Sequence, residues 1–188
     1  MASCPAVTAM AIFLVASICG VIAMATSYWM ELDIAGAVKV LNHWGLWQKC
    51  TQNWGCKWVY DKDVKIKAGY AGWFQAVQGL YTVGLVFGIC AAIGSMVNLC
   101  SGGITRCCTN FTATLAFISF LSMAASLALF GVKYHDIYGD IPQAPYQLSW
   151  SFYFAVSATL LEILAMVLYL CVGCCNMGGS GVRSYQRI

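Results

Sequence analysis

HWGLWQKCTQNWGCKW, residues 43–58, packs four tryptophans and two cysteines into sixteen residues. It lies in the one long charged segment of a chain that is otherwise apolar: of 188 residues, 61% are hydrophobic and 9% are charged. Soluble domains carry about a quarter charged residues, so the composition places the chain among membrane proteins before any motif is read. The net charge of +3 is too small to point to a nucleic-acid partner.

The flanks of this stretch are runs without charge. No charged residue precedes Glu31, none lies between Lys67 and Arg106 or between Arg106 and Lys133, and Glu162 stands alone between Asp140 and Arg183. A helix crossing a bilayer needs about 20 mostly apolar residues. The runs predict an all-α membrane protein of four spanning helices, near 7–29, 73–100, 109–132 and 150–172. Loops cover about 30–72 and 133–149, a tail covers 173–188, and 1–188 reads as a single tetraspan unit. Lipid offers no partner to exposed backbone groups, which excludes open strands. The short alternating segments of a β-barrel are absent. Ala23-Met24-Ala25 has the small residues of a signal-peptide cleavage site. The apolar run is long for a signal peptide and no Lys or Arg precedes it, so the first span is expected to stay uncleaved.

Four spans put both termini on one side. Counting positive charges puts the large loop in the cytoplasm, because it holds Lys39, Lys49, Lys57, Lys62, Lys65 and Lys67 against Arg106, Arg183 and Arg187 opposite. The cysteines say the reverse. Cys100, Cys107, Cys108, Cys171, Cys174 and Cys175 sit at membrane ends on the termini side, where cytoplasmic S-palmitoylation occurs. Cys50 and Cys56 stand apart in the large loop, as a disulfide outside the cell would. Cytoplasmic termini are therefore expected. Zinc held by Cys107, Cys108, Cys174 and Cys175 is disfavoured, because adjacent cysteines lack the spacer of zinc ribbons; no metal and no cofactor are expected.

Bridging Cys50 to Cys56 would close a small loop and stabilise it by about 2 kcal/mol, a staple that a loop without a large core needs. Val38–Leu41 and Trp58–Tyr60 have strand-like composition. Trp29 stands where a membrane-interface aromatic belongs. Trp47 is expected against the disulfide, with Trp54 and Trp58 partly exposed. The competing arrangement lays the loop tryptophans in the headgroup layer.

Trp29, then Gly45-Leu46-Trp47, then Cys50 and Cys56 resembles the W–GLW–C–C signature of the claudin superfamily, which includes claudins, peripheral myelin protein, epithelial membrane proteins and lens fibre membrane protein. Trp73-Phe74-Gln75-Ala76-Val77-Gln78 resembles the opening of that family's second helix, and Leu148-Ser149-Trp150-Ser151-Phe152 the opening of its fourth. The resemblance covers nearly the whole chain. It implies a left-handed four-helix bundle capped by a small extracellular antiparallel sheet, most strands coming from the first loop and one from the second. It implies that the GLW tryptophan and the cysteine pair anchor that sheet, and it supports cytoplasmic termini. Two departures stand out. The spacer between the cysteines is shorter than in claudins, nearer to the myelin, epithelial and lens branch. Gln78 also stands about where many claudins carry arginine at the start of the second helix.

Glu162 falls near the middle of the fourth span, where a charge is costly. It either meets a partner's polar group within the bilayer or is a protonated side chain hydrogen-bonded inside the bundle. Gly84 and Gly88, continued by Ala92, and Ala16 with Gly20 have spacings that let helix backbones approach; internal packing is preferred over a dimer face. Lys57, Asp61, Lys62, Asp63, Lys65 and Lys67 could line a paracellular path by resemblance to claudins, or form a solvated face. Asn110-Phe111-Thr112 matches a glycan acceptor, but on the cytoplasmic side. Gly178-Gly179-Ser180-Gly181 reads as a flexible linker. The terminal Gln186-Arg187-Ile188 lacks the hydroxyl of the commonest groove ligands. His43 and His135 are isolated loop residues expected to be solvated, and no activated nucleophile is visible, so no enzyme is expected. The expected role is a plasma-membrane protein of cell–cell junctions. It would contact neighbours in cis and trans as a homo-oligomer through Trp54, Trp58, Tyr138, Ile141 and Pro142, and form a barrier or pore. The alternative is an auxiliary subunit of an ion channel or receptor, docking through Glu162 and the glycine ridge.

Overall fold

A computed structural model describes residues 4–32, 42–51, 55–61, 72–100, 106–135 and 146–183. Four helices, α1 (Cys4–Ala25), α2 (Gly72–Cys100), α3 (Arg106–Lys133) and α4 (Trp150–Arg183), alternate with five short strands. The strands are β1 (Met30–Leu32), β2 (His43–Trp44), β3 (Gln48–Thr51), β4 (Gly55–Trp58) and β5 (Tyr146–Leu148). Each helix is apolar around its whole circumference, and all four are long enough to cross a membrane, over Pro5–Ala25, Gly72–Cys100, Cys107–Lys133 and Trp150–Cys171. This is a multi-pass membrane protein.

The helix ends follow local chemistry. Pro5 lies in the first turn of α1, where its missing N–H costs nothing. Ser149, a residue type favoured at helix starts, precedes α4. α1 ends at Ala25, four residues short of the expected boundary, because Trp29 must leave the helix to fold back into the bundle. α4 instead runs on through the glycine run to Arg183. Extending a long helix adds one hydrogen bond per residue, which offsets the cost of each glycine.

Packing is most extensive between α2 and α3 and between α1 and α4. Small residues face inward where the helices meet: Ala9, Ala16 and Ala23 on α1, Ala91 and Ala92 on α2, Ala116 on α3, Ala155, Ala158 and Ala165 on α4. Gly84 lies against Met123 and Ser119, and Gly20 against Leu85, so these glycines serve packing within the bundle. One core lies beneath the sheet around Trp29, Tyr81, Phe130 and Phe152; a second, around Phe13, Ala91 and Tyr169, lies nearer the other end.

The strands form one antiparallel sheet in the order β4-β3-β2-β1-β5. Four come from the segment between α1 and α2 and one from that between α3 and α4. The β1–β5 register, Met30 opposite Leu148 and Leu32 opposite Tyr146, joins the two segments. Of the expected strands, 38–41 lies outside the described residues, and Trp58 ends β4 while Val59 and Tyr60 form a turn.

Candidate functional site: the stapled sheet and its seat

Cys50 and Cys56 face each other across the β3–β4 hairpin and are joined by a disulfide. Cys50, on the inner strand, is buried, and Cys56, on the edge strand, is exposed. Gly55 begins β4 at a φ of 67°, a left-handed value that a side chain adopts at a cost. β4 is an edge strand. Its last residue, Trp58, is 60% exposed, and Tyr60 in the turn that follows is also exposed.

The tryptophans of the opening stretch and its flank have separate duties. Trp29 is no interface aromatic: it is 0% exposed, and its ring meets those of Tyr81, Phe130 and Phe152 edge-on at 5.0–5.8 Å. Its Nε1–H donates to the Ala23 carbonyl at 2.7 Å. A large ring buried on all sides with its one donor satisfied is a core residue, and tertiary folding overrides the belt preference. Trp44 is buried, with the Lys49 ammonium 4.3 Å above its ring. Burial pushes the Lys49 ammonium below the ordinary lysine value. Trp47 is half-buried and packs on the core under the sheet. Trp54 lies outside the described residues.

The GLW turn is held by close approach and by α2. Gly45 N–H donates to the Gln48 carbonyl at 2.8 Å. A Cβ on Gly45 would overlap the Thr26 carbonyl oxygen and stand 2.6 Å from Ser27 Cα, both backbone atoms that cannot step aside. Leu46 is fully buried. Gln78, at the position where the sequence departs from many claudins, is 2% exposed and reaches up from α2. Its Nε2 donates to the Leu46 carbonyl at 2.5 Å, and its Oε1 accepts from the Tyr60 hydroxyl. One neutral amide thus pins both the GLW turn and the turn after the disulfide, using a donor and an acceptor together as no arginine could.

His43 is buried, not solvated. Its ring stacks on Tyr28 at 3.9 Å, and Nδ1 lies 2.9 Å from the Ser27 carbonyl. Glutamine and histidine packed by a distant segment leave no periodic trace in sequence, which is why the sequence shows Gln78 and His43 but not the burial and bonding that give them their roles.

Lys57 is half-buried and Asp61 exposed, both close to the hairpin. Lys62, Asp63, Lys65, Lys67, Tyr138, Ile141 and Pro142 lie outside the described residues. The side chains of Cys100, Cys107, Cys108 and Cys171 are exposed at the end of the bundle away from the sheet. Cys174 and Cys175 continue along α4. Among the described residues no group of His, Cys, Asp or Glu gathers as a metal site. Glu162 is 4% exposed and turned toward Gly88 and Ser119, so a partner docked on the outside of the bundle does not reach it. The glycine ridge is likewise internal: spacing alone gives a face, and the bundle decides which way that face turns.

The family described as PMP-22/EMP/MP20/Claudin matches residues 5–169, which run from the first membrane helix into the fourth and take in the three segments between them. A zebrafish (Danio rerio) protein, "p53 apoptosis effector related to PMP-22", is 27% identical over 130 residues, covering 68% of this chain. The match takes in 63% of that relative's length. A bundle of four spans carrying a stapled sheet, seated through Trp29 and the GLW turn, agrees with that match: the chain belongs to the PMP-22/EMP/MP20/Claudin family.

Proposed function

We propose that this chain is a plasma-membrane protein of cell–cell contacts, with the sheet outside and both termini in the cytoplasm, self-associating through the sheet in cis and in trans. The observation that carries this reading is Trp58. A tryptophan 60% exposed at the end of an edge strand, on a hairpin braced by a disulfide and by Gln78, is a rigid aromatic anchor. Tyr60 and Asp61 beside it, with Lys57 across the strand, give the anchor a polar rim. In such assemblies the charges over 57–67 border the gap between neighbours and bias which ions pass, a barrier or pore by electrostatics. The exposed cysteines at the opposite end suit acylation that fixes the cytoplasmic face.

The test is a tagged copy in suspension cells without junctions of their own, scored for enrichment at contacts where both neighbours express it. Wild type is expected to concentrate there, and Trp58→Ala to reach the surface and spread evenly. Even distribution of the wild type ends the adhesive reading and turns attention to a channel or receptor partner.

A further inference from the structure

The two sulfurs of the staple have different surroundings. Cys56 is exposed on the edge strand β4, whereas Cys50, directly opposite on β3, is 4% exposed. Cys50 rests on a small polar cluster from outside the hairpin. Its Sγ stands 3.3 Å from Ser27 Oγ, in the segment between α1 and β1. Ser27 Oγ in turn stands 3.1 Å from Nδ1 of His43 on β2. Ser27 and His43 are both buried.

The direction of these hydrogen bonds follows from their acceptors. The Ser27 carbonyl can only accept, so His43 Nδ1, 2.9 Å away, carries the hydrogen of that bond. Nδ1 then cannot accept from the Ser27 hydroxyl. A bridged sulfur has no proton to give and is a weak acceptor. Of the two side-chain atoms bonded to the Ser27 hydroxyl, Cys50 Sγ is the one left to accept its proton. Tyr28, stacked on His43 at 3.9 Å, holds the ring in the orientation that enforces this direction.

Such a donor matters little to an intact disulfide and a great deal to one being opened. In thiol–disulfide exchange a thiolate attacks one sulfur and the other departs as a thiolate; the rate depends on access to the first and stabilisation of the second. A hydrogen bond to an anion is roughly twice as strong as one between neutral groups. Burial blocks attack on Cys50. Attack on Cys56 comes from the exposed edge, and it sends the negative charge to the sulfur that already holds a donor.

We propose that the staple is an exchangeable disulfide with a fixed direction: a small thiol of the glutathione class attacks Cys56, and Cys50 is the leaving sulfur. The attacking thiolate forms a new S–S bond to Cys56 Sγ. The Cys50–Cys56 bond breaks, and its electron pair leaves on Cys50, which rests against the Ser27 hydroxyl until it takes a proton from solvent. One disulfide is lost and one is formed, so no oxidant enters. Cys56 and Trp58 are both exposed, alternate with half-buried Lys57, and share one face of β4. The adduct therefore stands beside the exposed tryptophan. On the adhesive reading above, on which this consequence alone rests, exchange opens the hairpin and screens its anchor together.

The purified full chain in lipid nanodiscs tests the chemistry. It is incubated with reduced glutathione, quenched with iodoacetamide under denaturing conditions and mapped by peptide mass. The expected product carries glutathione on Cys56 and the alkyl group on Cys50; glutathione on Cys50, or on both equally, overturns the direction. A folded chain that stays bridged in glutathione that opens the same chain unfolded in dodecyl sulfate overturns the exchange itself. Ser27→Ala is expected to open roughly tenfold more slowly than wild type, with Ser27→Thr restoring the rate. A hydroxyl that only seats the hairpin gives the reverse, faster opening as the sheet loosens, so an equal or faster rate in Ser27→Ala overturns the leaving-group role. Even distribution of the wild type in suspension cells would end the adhesive reading and leave these readouts unchanged.

Discussion

Replacing Trp29 separates seating from contact. Its indole is fully buried against three aromatic rings, and its one polar atom is bonded to the Ala23 carbonyl. Truncation to alanine removes the ring and leaves a cavity, at a cost of about 3–5 kcal/mol. For a chain of this size each kcal/mol lowers the melting temperature by roughly 2–4 °C, so Trp29→Ala is expected to melt roughly 6–20 °C early. Trp29→Phe keeps a ring among the three neighbours and loses the N–H. The Ala23 carbonyl still accepts from Ser151 Oγ at 3.1 Å, so nothing is orphaned and the cost is about 1–2 kcal/mol. Trp58→Ala, at a residue mostly in solvent, is expected to stay within about 0.5 kcal/mol of wild type. The assay is the fraction of full chain surviving as a monodisperse peak on size exclusion after heating in detergent. Trp29→Ala melting within 2 °C of wild type, or Trp58→Ala falling as far as Trp29→Ala, refutes the division of labour between the two tryptophans.

Gly45→Ala forces a Cβ into the Thr26–Ser27 backbone and is expected to keep the protein from the cell surface; normal surface biotinylation would contradict the close approach. Gln78→Leu strands the Leu46 carbonyl at about 1–3 kcal/mol and leaves the exposed Tyr60 hydroxyl to water, so amide exchange over 44–61 should accelerate while the spans stay protected. Equal exchange in both proteins sinks that account. Lys49 has a folded pKa held below its ordinary value of 10.5 by burial. It binds fewer protons folded than unfolded, so stability should rise as pH climbs through the window just below 10.5 and then level off. Lys49→Met should flatten that rise, and an identical slope would argue against burial as its cause. Cys50→Ser removes about 2 kcal/mol of loop constraint and is expected to leave the outer sheet misfolded and the protein retained; ordinary trafficking of that variant would count against the staple.

The spans were legible because lipid enforces them: a helix that cannot expose its backbone writes its length into the spacing of charges. The W–GLW–C–C stretch was legible as a family signature. What each of its residues does was not. Trp29 read as an interface aromatic because four residues beyond a helix and a place in the core look alike until the chain is seen to double back. His43 packs on Tyr28, 15 residues away, and Gln78 bonds Tyr60 and Leu46, 18 and 32 residues away, and no local pattern records such meetings. Strands of two to four residues are too short for alternation to register. Glu162 was visible as an anomaly, yet only the assembled bundle reveals that it looks inward at a glycine and a serine.

The exit of α1 has a further consequence. Helix ends normally leave carbonyls that only water can satisfy. Here the Ala23 carbonyl takes both the Trp29 indole and the Ser151 hydroxyl, the Ile22 carbonyl takes the Thr26 N–H at 3.1 Å, and the Thr26 hydroxyl lies 2.7 Å from Ser151 Oγ. Below the strands, Ser149 and Ser151 N–H groups bind the Trp29 and Tyr28 carbonyls, continuing the β1–β5 ladder down to the start of α4. The neck between bundle and sheet is thus tied by direct hydrogen bonds from the exit of α1 to the entry of α4, so the sheet and these two helices tilt together and not as a cap on a loose hinge.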